Sequence, residues 1–332
     1  MPASIFPGFG PFGQNLLNTR IRARAWLQLD YAPRQWRSAR SLTVSNFPIS
    51  GEIRLAQDAG STRTLGVTNE VKTRMELQNV LYDLQGQMAL LTINRAAKYN
   101  AISLATLADL NAAVDAAAQD DAVRVITITG AVGKAFASGS DLNEVLDRGL
   151  HQALEPLVQG LADKLERTPK PTIAAIDGVC MGGGLEVALG CDLRIATPKS
   201  TFATPEGRLG IIPGGGATVR LPRIVGRGWG MEMLLMGEAI DAQRALQIGL
   251  ITRTTESAQL IAEARSMAAK MSSYAPMVPR TMKAMVHLGM NGSLASALMF
   301  EKYAQGALVQ TQDKHEGITA FIEKREPKFT GK

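Results

Sequence analysis

Asp177-Gly178-Val179-Cys180-Met181-Gly182-Gly183-Gly184-Leu185-Glu186 is the stretch whose reading decides the fold of this chain. Directly before it, Pro171-Thr172-Ile173-Ala174-Ala175-Ile176 reads as a buried strand. From about residue 184 to 189 the pattern is helical, so Gly182-Gly183-Gly184 falls where a helix begins. The first turn of a helix carries amides without internal partners, and its dipole puts partial positive charge there. Glycines let a ligand come close to that backbone. Glu186 falls within the same turn. Taken alone, the pattern equally fits a plain strand-to-helix turn with an acidic residue at the favourable end of the dipole.

Working outward, strands alternate with helices. Met88-Ala89-Leu90-Leu91-Thr92-Ile93-Asn94 reads as a strand. Ser103 suits the N-cap of a helix through Leu107, Leu110 and Val114. Val123-Arg124-Val125-Ile126-Thr127-Ile128-Thr129 is the clearest strand and ends at Gly130. A helix is expected over 154–165, stopping before Pro169, and a strand over Leu193-Arg194-Ile195-Ala196. This alternation predicts a parallel sheet built from crossover units. After about Ser257 the strands stop, and four helices are expected over 258–271, 278–288, 294–309 and 316–324. Met267, Ala268, Met271, Met282, Met285, Ala297 and Met299 form stripes that suit packing against a core or a sister subunit.

Composition narrows the function. Of 36 Lys+Arg and 30 Asp+Glu, ten and four fall in residues 1–74, which leaves 26 of each sign in the rest. The net charge of +6 therefore belongs to the N-terminal segment, and the neutral body is not that of a nucleic-acid-binding protein. Residues 1–74 show no sustained apolar period and read as a basic, disordered or loosely attached extension. It is either an organelle-targeting segment or the product of a start placed upstream of Met75, and the second account fits slightly better. The divisions expected are thus 1–74 (extension), 75–257 (α/β core) and 258–332 (helical region). No apolar run is long enough for a bilayer helix. Cys180 and Cys191 are too few for a disulfide framework and suit reduced packing residues of a cytoplasmic or matrix compartment. His151, His287 and His315 lack metal-ligand spacing to them, so no metal is expected.

Two nucleotide motifs fail. G-x-G-x-x-G begun at Gly182 meets Val187 in its last place, and begun at Gly214 it meets Val219. Gly133-Lys134 is followed by Ala135 where a phosphate loop needs Ser or Thr. What remains is acid/base chemistry. Glu206 closes Thr201-Phe202-Ala203-Thr204-Pro205-Glu206 beside a proline-marked turn. Two carboxyls near bare amides suit proton transfer to and from a carbonyl compound whose oxyanion the amides hold. Phe136-Ala137-Ser138-Gly139-Ser140-Asp141-Leu142, ahead of a charged, loop-like stretch, offers the second half of such a hole. Ser138 and Ser140 have no neighbouring histidine base, which argues against a serine nucleophile. Asp141 is read chiefly as a residue that caps or orients its loop.

Taken together, these segments resemble the enoyl-CoA hydratase/isomerase, or crotonase, superfamily. The likeness rests on Asn94-Arg95 through Asn100-Ala101-Ile102, the 135–142 loop, Ile176 through Asp192, Phe202 through Gly216 and the tail Glu316-Gly317-Ile318-Thr319-Ala320-Phe321. It covers residues 75–332 and is closest to the hydratase branch. The resemblance implies an α/β fold, a spiral of ββα units with a C-terminal helical trimerisation region, assembled as trimers or paired trimers. It implies an acyl-CoA thioester substrate and no further cofactor. It implies backbone N–H groups of Ser140 and Gly183 as the oxyanion hole, and Glu186 and Glu206 as the catalytic pair. Lys98, Ser138, Gly139, Asp141 and Leu142 would border the CoA. Ala96 stands where relatives carry proline, Ser138 and Ser140 where they carry small apolar residues, and Asn143 where several have lysine. Hydration of a trans-2-enoyl-CoA, double-bond isomerisation, and a CoA-ester- or RNA-binding scaffold without catalysis remain the competing readings.

Overall fold

The computed structural model describes residues 77–131 and 135–332. The expected extension, Met75 and Gly133-Lys134 lie outside the described residues. The strands β1 (Val80–Gln85) and β2 (Met88–Ile93) form an antiparallel hairpin with Gln85 opposite Met88. The two-residue turn contains Gly86 at φ 63°, a conformation that costs glycine little. Helix α1 (Leu104–Gln119) follows, capped as expected by the Ser103 side chain, which accepts from Thr106 N. Then come β3 (Val125–Gly130), β4 (Ala135–Ala137), α2 (Leu142–Leu146), α3 (Leu150–Leu154) and α4 (Leu157–Arg167). The next stretch holds β5 (Thr172–Ile176), β6 (Val179–Met181), α5 (Gly183–Gly190), β7 (Leu193–Ala196) and β8 (Thr201–Ala203). Helix α6 (Ala217–Met236) is broken at Gly226, and β9 (Ile240–Asp241), α7 (Ala242–Gln247) and β10 (Arg253–Thr254) complete the α/β part. Four helices close the chain: α8 (Leu260–Ser272), α9 (Met277–Asn291), α10 (Leu294–Val309) and α11 (Gln312–Ile322).

The strands divide between two sheets, one in the order β1-β2-β3-β5-β7-β10 and one in the order β4-β6-β8-β9. From β2 onward the larger sheet is parallel, as the alternation predicts. In β3/β4, β5/β6 and β7/β8 the first strand joins the large sheet and the second the small one, which is the repeat of the ββα spiral. The period-2 pattern of the large sheet separates two cores. Ile126 and Ile128 face the main core with Leu91, Ala174 and Ile176. Val125 faces the other way, with Leu90, Ile173 and Ile195, against Leu260, Ala264, Met267 and Ala268 of α8.

Several expectations change. The helix predicted over 154–165 is α4 with a later start at Leu157, because Pro156 separates it from the short α3, whose last residue Leu154 is exposed. The stretch after Asp141 is not a loop: Asp141 caps α2 with its side chain. The last helix starts at Gln312 rather than 316, capped by Thr311. Of the methionine stripes, Met267 and Ala268 are core, whereas Met282 and Met299 are exposed.

Helices α4 and α5 cross closely at a glycine. A Cβ on Gly190 would stand 2.7 Å from Ala162 Cα, inside van der Waals contact. Gly190→Ala is expected to lower stability by about 1–3 kcal/mol through overpacking. Urea unfolding checks this as a fall in midpoint at unchanged slope; an unchanged midpoint would mean that the helices part freely.

Candidate active site

The site forms at the carboxyl ends of β4, β6 and β8, three neighbouring parallel strands of the small sheet. Past β4, Ser138 N donates to Tyr99 O at 3.1 Å, Ile102 N donates to Gly139 O at 2.8 Å, and Asp141 N donates to Ile102 O at 2.9 Å. In this parallel bridge Ile102 uses the residues on either side of Ser140. The N–H and C=O of Ser140 itself therefore point away from Ile102. Ser140 N lies against the start of α5, where a Cβ on Gly183 would stand 3.3 Å from it. Gly139 makes the turn at φ 125°, a region that favours glycine.

Past β6, Gly182 (φ 50°, ψ −128°) caps α5 without a side chain, and its N–H donates to Ala203 O at 3.0 Å. Glu186 N is the first amide to bond back into the helix, reaching Gly182 O at 3.0 Å. Gly183 N thus opens the helix without an intrahelical acceptor, next to Ser140 N. The two amides that the sequence pairs are brought together.

Glu186 is 3% exposed. Its Oε1 accepts from Gly215 N at 2.6 Å and from Ala217 N at 3.1 Å, at the start of α6. Burial pushes its carboxyl above the usual range, while the amides of Ala217 and Gly215 and the charge of Arg220 act against that rise. Glu206 lies in the short 3-10 turn Pro205–Leu209 that follows β8, and is 9% exposed. Burial, with a further push from Glu186, raises its carboxyl to about 6. Its Oε2 is buried without a hydrogen-bond partner. A Cβ on Gly182 would come within 3.0 Å of Glu206 Oε1, so this carboxyl sits against the glycine that precedes the Gly183 amide. Glu206 thus lies beside the start of the helix that carries Glu186, close enough for the Glu186 charge to act on it.

The remaining expected residues lie around the same loop. Asp141 is buried, pairs with Arg95 at 3.1 Å and lies 3.9 Å from Lys98 Nζ. The hydrogen bond from Arg95 holds its carboxyl below the ordinary value. It accepts at Oδ1 from Asn143 N at 3.3 Å, so it caps and orients its segment, as read from sequence. Lys98 ends the turn Ala96–Lys98 with its side chain largely in solvent. Ser138 is half-buried, Gly139 is buried and Leu142 is exposed. Sequence reading missed the anchors of Glu186, the amides of Gly215 and Ala217. The run Gly214-Gly215-Gly216 was read as a failed phosphate loop and as part of the family likeness, not as the cradle of a carboxylate. It also missed the exposed series Leu142, Leu146, Leu150 and Leu154, although its four-residue spacing is visible in the chain.

The family model described as enoyl-CoA hydratase/isomerase matches residues 83–332. The chain belongs to that family. It is 37% identical over 253 residues to the short-chain-enoyl-CoA hydratase of Clostridium acetobutylicum, covering 76% of this chain and 97% of that protein. It is 36% identical over 260 residues to the crotonyl-CoA hydratase of Syntrophomonas wolfei, covering 78% and 100%. Among solved structures, the enoyl-CoA hydratase of Bacillus anthracis matches with a TM-score of 0.74 at 34% identity, over 77% of this chain and all of that one. The spiral fold of the family and its hydratase branch are therefore those read from the sequence.

The raised carboxyl of Glu206 has a consequence for stability. A group that titrates at about 6 when folded, against an ordinary value of 4.5, keeps its proton longer in the native state. Its stabilising contribution is full below about pH 4.5 and is lost as pH rises through about 6. The Tm of Glu206→Gln relative to the native protein is therefore expected to rise between pH 4.5 and 7.5 and to level off above. Calorimetry across that range checks it, and a gap independent of pH contradicts it.

Proposed function

We propose that this protein adds water across the double bond of a trans-2-enoyl-CoA to give a 3-hydroxyacyl-CoA. The observation that carries the reading is the unequal treatment of two neighbouring carboxyls beside a pair of free amides. Burial raises the Glu186 carboxyl too, but two N–H donors fix it and act against that rise. Glu206 has no donor on Oε2 and its raised value, about 6, suits a carboxyl that holds a proton.

The thioester oxygen accepts from Ser140 N–H and Gly183 N–H, with the dipole of α5 adding to the pull. This makes the β-carbon electrophilic. Glu186 takes a proton from water, whose oxygen bonds to the β-carbon as the C=C electron pair moves toward the thioester. The enolate forms with its charge on the oxygen between the amides. Glu206 gives its proton to the α-carbon, and the thioester C=O is restored. Glu186 ends with one proton more and Glu206 with one fewer, and exchange with solvent resets both. The addition is redox-neutral and calls on no metal or separate cofactor. Lys98 and the segment Ser138, Gly139, Asp141 and Leu142 border the CoA in this reading. Losing one amide donor costs about 3 kcal/mol of transition-state stabilisation.

Glu186→Gln and Glu206→Gln are each expected to lower hydration by on the order of 10²–10⁴-fold while binding of a saturated acyl-CoA persists. The assay follows the ultraviolet absorbance of the conjugated thioester with trans-2-enoyl-CoA esters of graded chain length. Rates near those of the unaltered protein in either variant contradict the roles. Product analysis in isotopically labelled water separates hydration from a double-bond shift, which incorporates no oxygen.

The same reading takes the protein as a homotrimer or a dimer of trimers, in a reducing compartment such as the cytoplasm. Helices α9 and α10 contain no buried residue, and Met282, Val286, Met290, Leu298, Phe300 and Tyr303 are exposed on them. An apolar cavity of about 570 Å³, lined by Met285, Leu308, Ile318 and Phe329 among others, opens beside them. Apolar surface of this kind marks an interface. Light scattering is expected to give three or six times the chain mass of 35.5 kDa, and a monomer at micromolar concentration contradicts the assembly. Both cysteines are buried and unbridged, which suits such a compartment.

A further inference from the structure

Gly215 joins two charged groups through one peptide residue. Its N–H donates to Glu186 Oε1 at 2.6 Å, and its C=O accepts from Arg220 Nη1 at 3.1 Å. Arg220 is itself held from the opposite side by α4. Its Nε donates to Glu166 Oε1 at 2.8 Å, and its Nη2 donates to Glu166 Oε2 at 3.1 Å and to Asp163 Oδ1. All three nitrogens of the fork are thus engaged, and the side chain is 12% exposed. The neighbouring glycines leave room for it. A Cβ on Gly216 would overlap the Arg220 guanidinium, and a Cβ on Gly215 would stand 2.7 Å from Glu186 Cδ and 2.7 Å from Val158 Cγ1. A side chain at either position would displace the carboxylate or the guanidinium, and Gly216 at φ 108° also favours glycine.

We infer that Arg220, clamped by Glu166 and Asp163, is a positioning residue that fixes the Gly215 peptide and through it the Glu186 carboxylate. Two effects follow. The guanidinium on the Gly215 carbonyl holds the turn in place, so the water-activating carboxylate keeps one orientation. The hydrogen bonds also run in one chain from the acids of α4 to Glu186, and such chains polarise one another. Arg220 touches neither substrate nor reacting atoms in this account. The inference rests on the hydratase reading, with Glu186 as the base.

The charged groups facing Glu186 set the direction of the test. Glu206 repels its charge across the site, and Arg220 favours it from α6. Asp163 and Glu166 lie behind Arg220 on α4 and pair with it, so its single positive charge offsets one of their two negative charges. Replacing Arg220 by a neutral residue removes the cation and uncovers both acids. Glu186 then ionises at higher pH, and the acid limb of kcat moves upward.

The test uses the full chain in its native assembly. Arg220→Gln, Arg220→Lys, Glu166→Gln and Glu186→Gln are compared for kcat and KM on a trans-2-enoyl-CoA between pH 5 and 9, with binding of a saturated acyl-CoA measured alongside. Arg220→Gln is expected to lower kcat by about 10–100-fold, the scale of a misplaced reacting group, with little change in KM or acyl-CoA binding and an acid limb shifted to higher pH. Arg220→Lys is expected to keep the limb near its native position, since the charge remains, while recovering only part of kcat, since the fork is lost. Native kcat with an unmoved limb in Arg220→Gln overturns the inference, as does a loss of kcat matched by an equal loss of acyl-CoA binding. Should Arg220→Gln fail to fold, Glu166→Gln decides: a lowered kcat at native binding supports the clamp, and native kcat refutes it. Activity retained in Glu186→Gln would instead remove the hydratase reading, whatever Arg220 does.

Discussion

The first turn of α5 lies where it does because Gly184 has no side chain. A Cβ at that position would overlap the carbonyl oxygen of Ala137 and lie 2.7 Å from Ala137 Cβ, at the end of β4. Without that close approach, Gly183 could not lie against the amide of Ser140, on which the proposed grip of one oxygen by two N–H groups depends. The contact also fixes Glu186, two residues further along the same turn. The amide of Gly183 and the carboxyl of Glu186 are therefore linked through one short helix, all of whose residues are buried.

That linkage places two acids in a space too dry and too crowded for two free charges. The protein handles them differently. Glu186 receives two backbone donors from the start of α6, backed by Arg220, whereas Glu206 keeps an oxygen without a partner. Unequal solvation of like groups is how a folded chain obtains an acid and a base from the same residue type. The cost is borne by the fold in ion pairs and glycines. Arg220 bridges α4 and α6, and Gly215 and Gly216 give up side chains so that carboxylate and guanidinium can both approach the turn.

Local features were legible in the chain. The cap at Ser103, the β-branched strand now seen as β3 and the glycine start of α5 depend on neighbours a few residues away, and periodicity or capping chemistry exposes them. The full ββα spiral came from resemblance, because apolar alternation does not say that consecutive strands enter different sheets. The split at Pro156 was visible in principle but was overridden by the apolar spacing on either side. Asp141 was recognised as an orienting residue, yet the helix that it caps was not, since α2 buries no residue and carries no core periodicity.

What sequence could not expose were contacts between distant positions. Glu186 meets Gly215 across 29 residues, and Arg220 meets Glu166 across 54. Neither spacing has a local signature, so a glycine run that cradles a carboxylate read as a failed phosphate loop and as a family motif, with no sign of its contact to Glu186. The exposed faces of α9 and α10 were legible as stripes but not as surface, because a stripe that packs on a core and one that packs on another subunit have the same period.

The central claim is that the amides of Ser140 and Gly183 grip one thioester oxygen. Infrared difference spectroscopy of an isotope-labelled thioester carbonyl in a trans-2-enoyl-CoA bound to Glu206→Gln reads that grip directly. The account predicts a carbonyl stretch at clearly lower frequency in the complex than in water, as two converging donors lengthen the bond. A bound carbonyl that absorbs where the free one does would contradict it.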